Sequence, residues 1–145
     1  MPQISSSPMP AAEYMNSKVT AEQFRDLLAR IEIGWSQGRP ELAAACFHED
    51  AIYVEPGGRQ LYTGRQEIWE LSGGSTPSAM RMEWHHVIFD EDRQTGAAEY
   101  TFKGRRQFHG LVLIKCQEGL IWRWREYQYH DENPWAAFIE PSEFE

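Results

Sequence analysis

A carboxylate set among tryptophans is the pattern in this chain with the most chemistry in it. In the run Leu120 to Asp131, strand alternation puts Trp122, Trp124, Glu126 and Gln128 on one face and Arg123, Arg125, Tyr127 and Tyr129 on the other. An ionised carboxylate beside apolar aromatic surface is costly unless paired. Its usual response is a raised pKa, the condition for a general acid or base. Glu126 is therefore the first candidate catalytic residue. The extended run Ala51 to Glu55 adds Tyr53 and Glu55 on one face, opposite Ile52 and Val54, and alternation alone does not choose which face is inward.

These residues need a sheet and a cover to hold them. Thr20 opens a helix with Gln23 completing a capping box, and Phe24, Leu27, Leu28, Ile31 and Trp35 recur at helical spacing. Gly38 stops it, and Pro40 starts a short second helix through about Phe47. His48, Glu49 and Asp50 turn into the extended run, which ends at Pro56-Gly57-Gly58. A second capping box, Thr63 with Gln66, starts a third helix that Gly73 and Gly74 close. After a loop over Ser75 to Ser78 the period changes, and four strands are expected at about 80–89, 97–103, 107–116 and 120–130. Such close spacing implies antiparallel pairing. The fold class is α+β: N-terminal helices packed on one face of a curved antiparallel sheet.

Taking the more apolar alternate set of each strand as the inner one turns Met82, Trp84, His86 and Ile88 inward, then Tyr100 and Phe102, then Phe108, Val112 and Ile114. Trp122 and Trp124 carry Glu126 inward with them. The result is an aromatic cavity with few polar groups, the general form of a small-molecule site. Glu55, Glu126, His86 and Tyr53 are its candidate catalytic residues. Trp84, Tyr100, Phe102, Trp122 and Trp124 are its candidate substrate-binding walls. Each has a plainer reading too. Glu126 could pair with an arginine, Glu55 could sit at an exposed strand end, His86 could be a satisfied core histidine, and the tryptophans could be core alone.

Composition narrows the partners. With 14 Lys and Arg against 22 Asp and Glu, the 145-residue chain carries a formal charge of -8, which disfavours nucleic acid and anionic membranes. Cys46 and Cys116 lack paired spacing, and the five histidines show no ligand spacing, so no disulfide, metal or other cofactor is expected. Residues 1–19 have neither a basic start nor an apolar run, and no stretch reaches the ~20 apolar residues of a membrane span. A cytoplasmic protein is expected, with a flexible tail over 1–19, one domain over 20–140 and an acidic tail over 141–145. Within that domain, Trp135 to Ile139 are expected to form a short helical turn over one end of the sheet.

Phe47-His48-Glu49-Asp50-Ala51-Ile52-Tyr53-Val54-Glu55-Pro56, then Thr63-Gly64-Arg65 opening a helix, then Trp124-Arg125-Glu126-Tyr127, resemble the nuclear transport factor 2-like superfamily and within it the SnoaL-like, polyketide cyclase-like branch. The likeness runs from about Thr20 to Asp131. It implies a cone-shaped α+β barrel with a pocket at its wide end, commonly dimerised through the outer sheet face. The superfamily includes polyketide cyclases, ketosteroid isomerases, limonene epoxide hydrolases, dehydratases and proteins without an established activity. Glu55-Pro56 falls on the Asp-Pro that carries the base of ketosteroid isomerase, but Ile31 and Leu111 fall at or near its oxyanion-binding positions. Glu126 falls on the last-strand Asp of limonene epoxide hydrolase, but Tyr100-Thr101-Phe102 replaces its Arg-x-Asp. Both comparisons orient Glu55 and Glu126 inward while removing the two best-defined mechanisms.

Two functions are therefore expected. One is a cofactor-independent cyclase, isomerase or dehydratase that moves protons on a small apolar ligand with paired carboxylates. The other is a non-catalytic ligand-binding or dimeric assembly domain using the same pocket or the outer face.

Overall fold

A computed structural model of the chain describes residues 17–76 and 80–144. The first helix, α1 (Ala21–Ser36), begins at the expected capping box: Gln23 N–H donates to Thr20 Oγ1 at 3.1 Å and Thr20 N–H to Gln23 Oε1 at 2.9 Å. Its stripe of Phe24, Leu27, Leu28, Ile31 and Trp35 is buried, as the 3.6-residue period requires. The chain before it is tied down at once. Val19 is buried and exchanges two hydrogen bonds with the Gln94 side chain, at 2.7 and 2.8 Å, so the ordered core starts before the expected boundary at residue 20. Residues 1–16 of the expected tail lie outside the described residues.

Helix α2 (Pro40–Ala44) is shorter than expected, because Phe47 already belongs to strand β1 (Phe47–Glu55). His48, Glu49 and Asp50 are part of that strand and not a turn. They carry a bulge in its pairing between Phe47 and Ile52, where Asp50 N–H donates to His48 Nδ1 at 3.0 Å. A further short strand, β2 (Gln60–Thr63), pairs antiparallel with β1. It leads into α3 (Gly64–Leu71), where Glu67 and not Gln66 accepts from the N–H and hydroxyl of Thr63.

Four long strands follow: β3 (Arg81–Asp90), β4 (Thr95–Lys103), β5 (Gln107–Gln117) and β6 (Leu120–His130). They match the expected strands to within two residues at each end. The expected loop before them lies partly outside the described residues, at 77–79. The sheet order is β2-β1-β6-β5-β4-β3. All pairs are antiparallel except β1 with β6, which run parallel, so the sheet is mixed and not wholly antiparallel. Helices α1 to α3 cover its inner face, and the α+β class holds. No helix among the described residues is long and apolar enough to cross a membrane.

Helix α4 (Trp135–Ile139) lies on the outer face rather than at one end of the sheet. Trp135 stacks on His85 with ring centroids 4.1 Å apart, and Phe138 packs on His109 at 4.5 Å. His109, on the outer face of β5, is buried under this cover. Its Nε2 lies 2.8 Å from the Asn133 carbonyl, so that nitrogen carries the proton. Its Nδ1 accepts from Thr101, whose oxygen is 2.7 Å from His85 Nε2.

One buried link joins α1 to the end of α3: the Trp35 indole N–H donates to Ser72 Oγ at 2.9 Å, and that hydroxyl donates to the Ile68 carbonyl at 2.7 Å. Removing the hydroxyl orphans a buried donor, which costs about 1–3 kcal/mol. Ser72→Ala should lose about that much in chemical denaturation. A loss within error of zero would mean that Trp35 finds another acceptor.

Candidate functional site

The inner sheet face, α1 and α3 enclose a cavity of ≈ 180 Å³. Trp35 of α1, Leu71 of α3 and Met80 form its apolar side. Tyr100, Phe102 and Phe108 come from β4 and β5, Tyr53 and Gln60 from β1 and β2, and Glu126 and Gln128 from β6. Its volume equals about six liquid-water shares of ~30 Å³. Sites for drug-sized ligands occupy roughly 300–1,000 Å³, so this cavity is on the small side and suits a molecule of several non-hydrogen atoms.

Glu126 is 7% exposed and accepts a very short hydrogen bond from the Tyr100 hydroxyl. The register explains how they meet. Tyr100 pairs with Gly110, which pairs on its other side with Gln128, and Val112 pairs with Glu126. Tyr100 thus crosses β5 over a position that has no side chain. A Cβ on Gly110 would lie 2.5 Å from Tyr100 Cζ and 2.6 Å from its hydroxyl oxygen, so only glycine leaves the corridor open. From the other side, Tyr53 pairs with Trp124 across the parallel β1–β6 ladder, and their rings stack at 5.0 Å and 13°.

Burial pushes the Glu126 carboxyl above its ordinary value. The Tyr100 and Tyr53 hydroxyls and the Trp124 indole N–H pull it back by favouring the anion, and Glu55 raises it again. The Trp124 Nε1 makes no hydrogen bond among the described residues, so its influence is that of a nearby dipole. Burial, with the negative charge of Glu126 second, drives both tyrosines well above the ordinary phenol value. They remain donors at any physiological pH. Glu55 is 2% exposed, so the exposed strand-end reading does not hold. Its carboxylate lies under the Gly57-Gly58 turn, where a Cβ on Gly58 would approach Glu55 Oε1 to 2.0 Å.

Two expected residues are elsewhere. A bulge between Trp84 and Val87 sets His85 and His86 together opposite Glu99. The alternation reverses there, so Val87 is buried, Ile88 is 56% exposed, and His86 lies on the outer face. It lines a separate surface cavity of ≈ 340 Å³ with His85, Glu99 and the C-terminal segment. A second bulge, between Lys115 and Cys116, opposes Ile121 to Cys116 and Arg123 to Lys115. It expels Trp122 from the inner face, where Ile121 is buried instead, and the Arg123 guanidinium sits over the Trp122 ring at 3.5 Å.

Of the four other expected walls, two line the cavity and two do not. Tyr100 and Phe102 line the cavity. Trp84 and Trp124 pack behind it, with the Trp84 indole N–H donating to the Leu28 carbonyl at 2.8 Å. Sequence reasoning missed Gln60, because β2 is four residues long and mostly exposed, without an alternating apolar set. It left Trp35 among the helix core residues, which is correct for its stripe and incomplete for its tip. No group of His, Cys, Asp and Glu among the described residues is arranged to hold a metal ion.

Residues 24–124 match the family of the SnoaL-like domain. No curated protein matches the chain. Solved structures of similar fold include a candidate ketosteroid isomerase from Kribbella flavida, 21% identical over 79% of this chain and 83% of that one, TM-score 0.64. A protein of unknown function with a cystatin-like fold from Methylobium petroleophilum is 15% identical over 81% and 82%, TM-score 0.67. An epoxide hydrolase of M. tuberculosis is 14% identical over 75% and 84%, TM-score 0.63.

Because the folded pKa of Glu126 is raised, the native state keeps a proton that the unfolded chain releases near the ordinary 4.5. Its contribution to stability therefore falls as pH rises from that value through the folded pKa, and the penalty is absent below it. Glu126→Gln should gain stability relative to the wild type as pH rises through that window, with no such trend at lower pH. Tyr100→Phe should move the carboxyl higher still. Carbon-13 NMR of the glutamate carboxyls across a pH titration reads both effects, and an unshifted Glu126 in Tyr100→Phe would refute the assigned role of Tyr100.

Proposed function

The chain belongs to the SnoaL-like domain family, and we propose that its inner cavity binds a small, largely apolar molecule on which Glu126 moves a proton, as in a cyclase, isomerase or dehydratase. The observation that carries this reading is a carboxylate at the wall of an aromatic cavity, held by a tyrosine hydroxyl and raised in pKa by burial. In its ionised form Glu126 is the base. The raised pKa brings its proton affinity closer to neutral pH, where general bases are most effective. Tyr53, which lines the cavity and keeps its proton, is the donor to an oxygen on which charge develops. Glu55 is the second carboxylate, and its charge acts on Glu126 from under the Gly57-Gly58 turn. Neither His86 nor Trp122 has a part, because both bulges turn them outward.

The test is deuterium exchange in heavy water, screened by NMR over small cyclic ketones, enones and hydroxy compounds. A turned-over compound should lose about 10²–10⁴-fold in exchange rate with Glu126→Gln, the usual range for a general base, and less with Glu55→Gln. Unchanged exchange in both variants would sink the catalytic reading.

A specific observation also supports the assembly reading. Beyond the reach of helix α4, β5 and β6 expose Leu111 (44%), Leu113 and Tyr127 on the outer face, with Tyr129 (67%) at the edge of that cover. Tyrosine and arginine enrichment at such a strip is typical of an interface. A second copy docked there makes a homodimer whose two cavities remain open. Light scattering should give a dimer mass for the wild type and a monomer mass for Leu111→Asp/Leu113→Asp; a monomeric wild type would remove this proposal.

A further inference from the structure

We infer, on the reading that this cavity is a small-molecule site but not on its being catalytic, that its ligand is a small organic cation: a protonated or quaternary amine on an apolar skeleton. The charge inventory comes first. Glu126 lines the cavity and Glu55 is buried, yet no Lys, Arg or His among the described residues lines it. Neither carboxylate takes part in an ion pair among the described residues; those pairs are made by other side chains, such as Arg93 with Asp90 and His48 with Glu118. A buried charge without a counterion is strongly unfavourable, and a partner of opposite sign relieves it.

Burial disfavours the anion at Glu126, and the polar groups beside it offset part of that cost. Tyr100 donates to it, and the Tyr53 hydroxyl and Trp124 N–H both favour its charged form. The Tyr100 hydroxyl is hydrogen-bonded to Glu126, and a donor to a carboxyl favours the charged form that a cation would pair with. What this anion lacks is a positive neighbour, and the open space beside it is where one fits.

The walls agree. Trp35, Tyr53, Tyr100, Phe102 and Phe108 surround that space, and aromatic faces attract a desolvated cation through the ring quadrupole. A carboxylate or phosphate in the same space would be repelled by the two buried carboxylates. A volume of ≈ 180 Å³ admits a trimethylammonium group with a short tail. Gln128 and Gln60, at the polar edge of the lining, present amides to a hydroxyl on that tail.

Choline and 3,3-dimethylbutan-1-ol have the same shape and differ in a nitrogen cation against a carbon atom, so the pair isolates the charge. Calorimetric titration of the full chain at pH 8 should show choline binding at least 10-fold more tightly than the alcohol, and Glu126→Gln should bring the two affinities together. In the wild type, choline affinity should fall as the pH drops and Glu126 takes up a proton, while alcohol affinity should stay level. The titratable groups facing Glu126 are Tyr53 and Glu55 from β1 and Tyr100 from β4, and both tyrosines stay neutral throughout. The pH series keeps the test decisive if Glu126→Gln fails to fold. Equal affinities, or tighter binding of the alcohol, would overturn the cation inference and leave the small-molecule site standing. Binding of neither compound at 10 mM would overturn the inference and the small-molecule reading together.

Discussion

The hydrogen bond from Tyr100 to Glu126 is the constraint around which the inner face is arranged. It lies among aromatic rings, where an ionised carboxyl without donors would cost several kcal/mol. To reach Glu126 on β6, Tyr100 on β4 must cross β5, and the only empty place is above Gly110. One residue of slip in either ladder would replace that gap by Leu111 or His109 and turn Tyr100 to the other face. The register of three strands, one glycine and the placement of the carboxylate are therefore a single requirement. The stacking of Tyr53 on Trp124 brings β1 into the same arrangement from the parallel side, so the least local contact of the sheet also serves this group.

Bulges decide which side chains share in that environment. In β3 the alternation is correct through Met82 and Trp84, and two residues opposite Glu99 then reverse it, so that His86 and Ile88 leave the core while Val87 enters. In β6 the same device turns Trp122 out before Trp124 and Glu126 turn in. Composition gives little warning, since an apolar residue stands at both alternatives: Val87 or Ile88, Ile121 or Trp122. Parity read along a strand is reliable only between bulges. It succeeded for Tyr100, Phe102, Phe108, Trp124 and Glu126 because each lies in an uninterrupted stretch.

Other features of the site were legible to different degrees for equally local reasons. The capping box at Thr20 could be read directly, because its donors and acceptors are three residues apart. The orientation of Glu55 could not be read from alternation, because Tyr53 and Glu55 against Ile52 and Val54 balance in polarity; only the family resemblance oriented it inward. The turn Pro56-Gly57-Gly58 reads as a simple chain reversal, yet the missing side chains at Gly57 and Gly58 also make room for a carboxylate. The parallel pairing of β1 with β6 joins residues some seventy positions apart, and no short-range signal announces a contact of that span.

The two faces of the sheet divide the protein's tasks. On the outer face, the His85–Thr101–His109 chain and the rings of Trp135 and Phe138 fasten the C-terminal segment over β3 to β5. On the inner face, Tyr100 donates to the buried Glu126 carboxyl at the cavity wall. A fold of this family hosts many activities, so function must be argued from the site. By the resemblance drawn from the sequence, Ile31, Tyr100 and Phe102 stand where defined mechanisms of the superfamily place polar groups, and Glu55 and Glu126 are both buried. Among the described residues Glu126 has no ion-pair partner, and the rings of Trp35, Tyr53, Phe102 and Phe108 line the space beside it. On the two readings proposed above, recognition of positive charge and capture of a proton would use the same Glu126 oxygen atoms.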